Sequence, residues 1–129
     1  MNLVELEECK AGFILKGIIN HRSRGHFIIF LEHYYFPDFI GAMISTKNTG
    51  NQNILMSEGH FEETFEDGTV CKVKFKDSYL VPAKLHKFFD MGPFELCGVL
   101  TNDGIRFITK NLENFKVESW ANYLEKEKF

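Results

Sequence analysis

Two apolar runs separated by a short aromatic connection are the feature that most constrains the fold of this chain. The first run is Phe27-Ile28-Ile29-Phe30-Leu31, and the second extends from Phe39 to Ile44. Runs of this length without polar alternation are typical of strands that are covered on both faces. We therefore place both strands at the centre of a sheet, where the polar residues at their ends have a rigid support.

Polar residues suited to phosphate and proton chemistry flank these two runs. A basic turn, Asn20 to His26, precedes the first run, and a short polar segment ends the second. The candidate site residues are His21, Arg22, Arg24, His26, Ser45, Thr46 and Lys47. Histidine exchanges protons near neutral pH, and arginine binds phosphate in a bidentate geometry. The sequence predicts a functional groove where the turn and the end of the second strand approach one another.

Length and composition indicate one globular domain spanning residues 1–129. A chain of this size buries a core without disulfides or metals, and its 44% hydrophobic and 26% charged residues exclude a mainly disordered protein. The 14 phenylalanines are unusual against one tryptophan. Most of these rings are expected to fill the core, because phenylalanine buries area without a polar group.

Charge and cysteine content limit the classes of function and location. A net charge of −3 argues against wrapping long duplex nucleic acid, although a few local phosphate contacts remain compatible with it. Cys9, Cys71 and Cys97 form no ligand pair and are expected to be reduced, buried thiols. No apolar run approaches the ~20 residues needed to cross a bilayer, so we expect a soluble, cytoplasmic protein without membrane partners.

Known catalytic and cofactor motifs are absent from the sequence. The five histidines lack the fixed spacing of a metal site, no serine lies in a GxSxG segment, and no glycine-rich nucleotide loop occurs. We therefore expect neither a metal nor an organic cofactor.

The remaining segments predict a mainly-β fold. Its predicted elements are a curved strand from Gly12 to Ile19, short strands at Ile54 to Met56 and Ser78 to Pro82, a strand with a basic face from Val70 to Lys76, one or two helical turns at Ala83 to Phe89, a hairpin of Phe94 to Leu100 with Ile105 to Ile108 turning at Thr101 to Gly104, and a C-terminal helix that packs through Trp120 and Leu124. Together they favour an SH3-like small barrel with a short helical inclusion and a C-terminal helix. A β-sandwich is the alternative.

The order of these elements resembles a known family. A basic turn before a buried strand, followed by a strand ending Ala42-Met43-Ile44-Ser45-Thr46, is similar to the toxin endoribonucleases of the PemK/MazF type and their type III relatives of the ToxN class. The resemblance covers Gly12 to Ile108. Phe39-Ile40-Gly41 stands where such toxins usually have an Arg-Pro pair.

The resemblance implies metal-independent cleavage of single-stranded RNA through the ribose 2′-hydroxyl. It assigns catalysis to His21, Arg24 and His26, and RNA binding to Arg22, Ser45, Thr46 and Lys47. Arg24 would hold the phosphate oxyanion, and His26 or His21 would move the proton. The implied partners are single-stranded RNA, an antitoxin that is protein or RNA, and a second copy of the chain in a homo-oligomer.

A second class of function stays open. Tyr34, Tyr35 and Phe36 form an aromatic connection between the two central strands, and exposed aromatic rings are common anchors of protein interfaces. On this hypothesis the chain is a non-enzymatic binding module. The basic turn would then be a solvated surface segment, and Ser45 and Thr46 would be ordinary strand-end residues.

Overall fold

The structure is a computed structural model that describes residues 2–19, 22–35, 38–46, 52–73, 78–86, 88 and 92–127. At residues 19, 22–25 and 127 it describes the backbone alone. His21, Phe36 and Lys47 therefore lie outside the described residues.

Nine strands and two α-helices make up the described fold. They are β1 (Leu3–Val4), β2 (Phe13–Ile19), β3 (Arg22–His33), β4 (Phe39–Ser45), β5 (Ile54–Leu55), β6 (Tyr79–Leu80), β7 (Lys84–His86), β8 (Phe94–Val99), α1 (Asn102–Leu112), β9 (Val117–Ser119) and α2 (Trp120–Glu127). These strands form one sheet in the order β1-β8-β2-β3-β4-β6-β5, with β7 paired to β4 and β9 paired in parallel to β7. The predicted mainly-β class is confirmed, and the described strands do not separate into the two sheets of a β-sandwich.

Strands β3 and β4 occupy the centre of the sheet, as their apolar runs predict. Successive side chains of a strand point to opposite faces. Ile28 and Phe30 belong to one core cluster and Ile29 to another, and Met43 and Ile44 divide in the same way. Each fully buried side chain of this kind stabilises the fold by about 1.5–3 kcal/mol. Two strands packed on both faces therefore give a firm support to the residues at their ends.

The two helices pack against different core clusters. Ile108 and Leu112 of α1 are fully buried in the cluster that contains Ile29. Trp120 and Tyr123 of α2 pack against the cluster that contains Phe30. The predicted C-terminal helix is confirmed, although it begins at Trp120. Its predicted packing through Leu124 is wrong, because Leu124 is 40% exposed and Tyr123 packs on the core in its place. The segment before the helix is strand β9, whose hydrogen-bond ladder with β7 replaces the helical pattern expected from Leu112 onward.

The predicted hairpin at Thr101 to Gly104 is wrong. Strand β8 ends at Val99, and Thr101 is the N-cap of α1, where its hydroxyl accepts a hydrogen bond of 3.0 Å from the Gly104 N–H. The same hydroxyl donates to the Gly59 carbonyl at 2.7 Å. Residues 105–108, predicted as the second strand of the hairpin, are helical because their apolar side chains pack on the sheet from one helix face.

The predicted helical turns at Ala83 to Phe89 are also wrong where the structure describes them. Lys84–His86 is strand β7, in which Leu85 lies opposite Gly41 of β4 and Glu118 of β9. A strand with partners on both edges satisfies its backbone groups through distant segments, and this outweighs a weak local helical preference.

The basic turn predicted from Asn20 to His26 is shorter than expected, because most of it belongs to a strand. Arg22 and Ser23 already pair with Ile19 and Ile18 of β2, so residues 22–26 belong to β3. The hairpin ladder between β2 and β3 continues beyond the apolar run because backbone pairing does not require apolar side chains. The polar residues thus lie on a strand.

The predicted basic-faced strand from Val70 to Lys76 is wrong where the structure describes it, because residues 70–73 do not form a strand. Val70 makes a single bridge to Thr64. Cys71 and Val73 are buried and Lys72 is exposed, as the alternation predicted. Lys74 and Lys76 lie outside the described residues.

All three cysteines are buried free thiols, as expected. Burial raises the pKa of the Cys9 thiol to about 11, and it raises that of Cys97 by the same route. Neither described helix has the length and apolar character required to cross a membrane.

Candidate functional site

The middle of β3 and the end of β4 lie side by side in the sheet. Phe27 is paired with Ile44 in the antiparallel ladder, so the next residues along, His26 and Ser45, are cross-strand neighbours. Both side chains line a cavity of about 270 Å³. The structure thus brings together one residue from each of the two polar segments that the sequence predicted to meet.

Helix α2 supplies an aromatic wall to this cavity through Trp120 and Tyr123, with Leu124 beside them. The Trp120 and Tyr123 rings are stacked, with centroids 5.9 Å apart and an interplanar angle of 21°. The His26 ring meets Trp120 edge-on, with centroids 6.2 Å apart. The Phe88 ring packs on Trp120, with ring centroids 5.9 Å apart, and connects the aromatic wall to the core.

The segment before α2 fixes the position of this wall. Ser119 Oγ accepts a hydrogen bond of 3.2 Å from the Asn122 N–H, which satisfies one of the unpaired donors at the helix start. Lys126 Nζ lies 2.6 Å from Glu118 Oε2. Glu118 and Ser119 belong to β9, which pairs with β7, so the aromatic wall is joined to the sheet through strand pairing.

The rest of the cavity lining combines apolar side chains with two amides. Met43, Val81 and Pro82 are apolar, and Gln52 and Asn53 carry the amides. No aspartate or glutamate occurs among the described residues that line the cavity. This absence of negative charge matters in an acidic chain, because it leaves the cavity open to an anionic ligand.

Larger cavities elsewhere have a different character. One of about 550 Å³ is lined by Glu58, Glu62 and Glu63 together with neighbouring small and aromatic residues. Another of about 310 Å³ lies under α1 with an apolar floor and is lined by two carboxylates, Glu32 and Glu113, against one cation, Lys84. Carboxylates repel phosphate, so these cavities are poor sites for nucleic acid.

The other predicted site residues are placed only in part. Arg22 and Arg24 lie in β3, four and two positions before His26, and only their backbone is described. Thr46 is exposed and follows directly after β4. His21 and Lys47 lie outside the described residues. The catalytic and RNA-binding roles of all seven residues stay predictions.

Sequence reasoning missed four of the residues that line the cavity as site residues. The sequence predicts that Trp120 packs the C-terminal helix on the sheet, and it predicts a polar turn over Gln52 and Asn53, beside the proposed site. Trp120 and Tyr123 are far from His26 and Ser45 in the sequence, so no local signal indicates that they meet, whereas Gln52 and Asn53 follow Ser45 by only a few residues. The one available signal was the half-apolar helix face around the sole tryptophan, since amphipathic rings often lie at binding surfaces.

A second polar cluster lies at the opposite end of β3 and β4. His86 Nδ1 lies 2.9 Å from Asp38 Oδ2, and Asp38 Oδ1 accepts a hydrogen bond of 2.9 Å from the Phe39 N–H. The Tyr34 ring contacts the His86 ring edge-on, with centroids 5.0 Å apart. The contact between Asp38 and His86 therefore joins the segment before β4 to the end of β7.

A buried carboxylate lies on β8. Glu95 accepts a hydrogen bond from Lys72, whose Nζ lies 2.5 Å from Glu95 Oε2. This hydrogen bond holds the pKa of Glu95 below its ordinary value, against the effect of burial, and raises the pKa of Lys72. The pair fastens the 70–73 segment to the sheet.

Within the described part of the chain, no three histidine, cysteine, aspartate or glutamate side chains are grouped as metal ligands. Comparison with known proteins gave no match to a family model, a curated protein or a solved structure.

Proposed function

We propose that this chain is a metal-independent endoribonuclease of the toxin-antitoxin type that cleaves single-stranded RNA, with its site at the meeting of β3 and β4. The observation that carries the proposal is the shared cavity of His26 and Ser45, whose described lining has aromatic rings and no carboxylate. Stacking on aromatic side chains combined with phosphate contacts is the usual way proteins hold single-stranded RNA. The resemblance to PemK/MazF toxins supplies the reaction.

The proposed reaction requires three tasks at one phosphate. His26 or His21 takes the proton from the ribose 2′-hydroxyl, and the 2′-oxygen attacks the adjacent phosphorus. The bond from phosphorus to the 5′-oxygen breaks, the leaving oxygen takes a proton from a histidinium, and the products are a 2′,3′-cyclic phosphate and a 5′-hydroxyl. Arg24 holds the phosphate oxygens as negative charge develops, with Arg22, Ser45, Thr46 and Lys47 as further contacts.

The acidic net charge of the chain is compatible with this reaction. Cleavage of a short single strand needs only a few phosphates to be held, whereas duplex wrapping needs many. Arg22 and Arg24 precede His26 by four and two residues in β3, so these arginines belong to the same strand as the candidate proton acceptor.

The test is cleavage of a pool of short single-stranded RNAs in EDTA by the wild type, His26→Ala and Arg24→Ala. Loss of a positioned acid, base or phosphate ligand is expected to lower the rate by about 10²–10⁴-fold. His33→Ala and Arg106→Ala are the matched controls, because both residues are exposed and lie outside the cavity. Circular dichroism checks that each variant is folded.

Full activity in both site variants would remove His26 and Arg24 from the mechanism. A toxin role further requires that expression of the chain alone arrests growth, and that His26→Ala relieves the arrest. Normal growth with the folded wild-type chain would contradict the toxin-antitoxin assignment.

The binding module is the second candidate, and one observation favours it. Tyr35 is 85% exposed and has a left-handed backbone with φ of 34°, an unfavourable conformation for a bulky residue. Retention of a large exposed ring at such a position is consistent with a role in binding a protein partner. Absence of RNA cleavage by the wild type would favour this function.

A further inference from the structure

We infer that the cavity between His26, Ser45 and α2 is a subsite for one unstacked nucleobase, adenine before the others, held against Trp120 and read by the Gln52 amide. The inference rests on the proposed function, because it assigns this cavity to the base that flanks the cleaved phosphate. It goes further by naming the residues that select the RNA.

The size of the cavity suits a single base. At about 270 Å³ it is slightly smaller than the range of roughly 300–1,000 Å³ typical of small-molecule sites. A stretch of several nucleotides does not fit into such a volume, whereas one base splayed out of a single strand does.

The lining provides the two kinds of contact that an unstacked base requires. Trp120 and Tyr123 present aromatic rings, and stacking on such rings is available to every base. Gln52 is exposed at the rim and ends in an amide with one acceptor oxygen and two donor hydrogens. An amide of this kind pairs in a bidentate manner with adenine, which offers an amino donor beside a ring-nitrogen acceptor.

The position of the subsite fits the reaction. His26 contacts Trp120 edge-on and is the cross-strand neighbour of Ser45, so a base on the aromatic wall lies beside the candidate proton acceptor. Binding the base there would orient the attached ribose and phosphate for attack, which is the main contribution of positioning to such a step.

Trp120 makes the inference directly measurable, because it is the sole tryptophan of the chain. Its emission therefore reports on this cavity alone. We propose titrating the wild type with AMP, GMP, CMP, UMP and ribose 5-phosphate, with correction for absorbance by the bases. Saturable quenching by AMP at the lowest concentration, and none by ribose 5-phosphate, is the expected result.

The variant that tests base reading is Gln52→Ala, and Asn114→Ala is its control. Gln52 is exposed and does not belong to either core cluster, so its truncation leaves the fold intact. Loss of a bidentate base contact corresponds to a roughly 5- to 150-fold weaker affinity for AMP. Asn114 is an exposed amide beyond the end of α1 that does not line this cavity, so Asn114→Ala is expected to bind as the wild type does.

A second binding measurement distinguishes RNA from a free nucleotide as the ligand. It uses a short oligonucleotide that contains adenine and is 2′-deoxy at the cleavage position, so that it binds without being cleaved. Tighter binding of the oligonucleotide than of AMP supports the RNA subsite. Equal affinities would assign the cavity to a free nucleotide and overturn the inference, as would equal quenching by all four nucleotides or none by AMP.

Failure of the subsite is distinguishable from failure of the proposed function. Cleavage of RNA without AMP quenching would retain the endoribonuclease and remove the base subsite. Tight, adenine-selective binding of the oligonucleotide without cleavage would retain the base subsite of an RNA-binding protein and remove the nuclease reaction.

Discussion

Glu95 is 1% exposed, and its carboxylate lies 2.5 Å from Nζ of Lys72, a side chain that is 65% exposed. A buried carboxylate is unfavourable unless it is paired, so the exposed lysine allows Glu95 to remain charged inside the fold. The pair also fixes the 70–73 segment on β8, next to the backbone hydrogen bond of 2.9 Å from the Val73 N–H to the Cys97 carbonyl.

The first prediction concerns removal of the lysine. Lys72→Met leaves the Glu95 carboxylate buried without this partner, so we expect a lower free energy of unfolding at neutral pH. Adding Glu95→Gln removes the buried charge and is expected to recover part of the loss. Urea denaturation of the two single variants and the double variant measures the coupling, with Lys110→Met as the control for an exposed lysine on α1. Equal stability of Lys72→Met and the wild type would contradict this role.

The pH dependence of the same pair follows from the direction of its pKa shift. The folded state lowers the pKa of Glu95 from the ordinary value of 4.5. The stabilisation is therefore present above that value and is lost as the pH falls through the folded pKa. We expect the melting temperatures of wild type and Lys72→Met to differ at neutral pH and to converge in acid. A constant difference down to about pH 3 would show that Glu95 ionisation is not involved.

A second prediction concerns Gly104 at the start of α1. A Cβ atom there would overlap the carbonyl oxygen of His60, which belongs to the backbone and cannot rotate away. We expect Gly104→Ala to destabilise the fold by about 1–3 kcal/mol, the usual effect of overpacking. Gly59→Ala is the control, because no heavy atom lies within 4 Å of the Cβ position. Chemical denaturation of the two variants tests the difference, and similar losses for both would contradict it.

The cap of α1 gives a third prediction. Thr101→Ala removes the hydroxyl that accepts from the Gly104 N–H and donates to the Gly59 carbonyl. Loss of an N-cap typically costs about 0.5–2 kcal/mol. Thr101→Ser keeps the hydroxyl and is expected to retain most of the stability, as measured by urea unfolding. Equal losses for the alanine and serine variants would indicate that the methyl group, and not the cap, is important.

This same cap explains why local sequence chemistry misidentified the segment. Asn102-Asp103-Gly104 is typical of a tight hairpin turn, yet a threonine followed by an acidic residue also fits the first turn of a helix. Ile105, Ile108 and Leu112 then repeat at helical spacing. This longer pattern favours α1, because a periodic run carries more information than a single turn.

Other parts of the fold were predictable to different degrees for physical reasons. Strands β3 and β4 were evident because complete burial requires continuous apolar runs. Strand β7 was not, because Lys84–His86 is held by β4 and by the distant β9. A three-residue strand with non-local partners has no local signal strong enough to exceed its helical propensity.

The candidate site shows the same division. The proximity of His26 and Ser45 follows from antiparallel pairing of two strands that are adjacent in sequence. The contribution of Trp120 depends on how the distant helix α2 packs on the sheet, and no local sequence pattern indicates this packing. Sequence therefore predicted the two polar strand ends, whereas the structure added the aromatic wall.

The last prediction concerns Tyr35, whose ring is 85% exposed on a left-handed backbone. Asparagine tolerates this conformation better than tyrosine, so Tyr35→Asn relieves backbone strain while it removes little buried area. We expect the melting temperature of Tyr35→Asn to equal or exceed that of the wild type. Tyr34→Ala is expected to lower it, because the half-buried Tyr34 ring packs against His86.

The same variant separates the two functions by activity as well as stability. If the cavity beside His26 is the RNA site, Tyr35→Asn cleaves RNA at the wild-type rate, because Tyr35 lies beyond the other end of β3. A marked loss of stability in Tyr35→Asn would show that the ring supports the fold. Unchanged stability with a loss of RNA cleavage would place Tyr35 in the RNA-binding surface and contradict a site confined to the cavity.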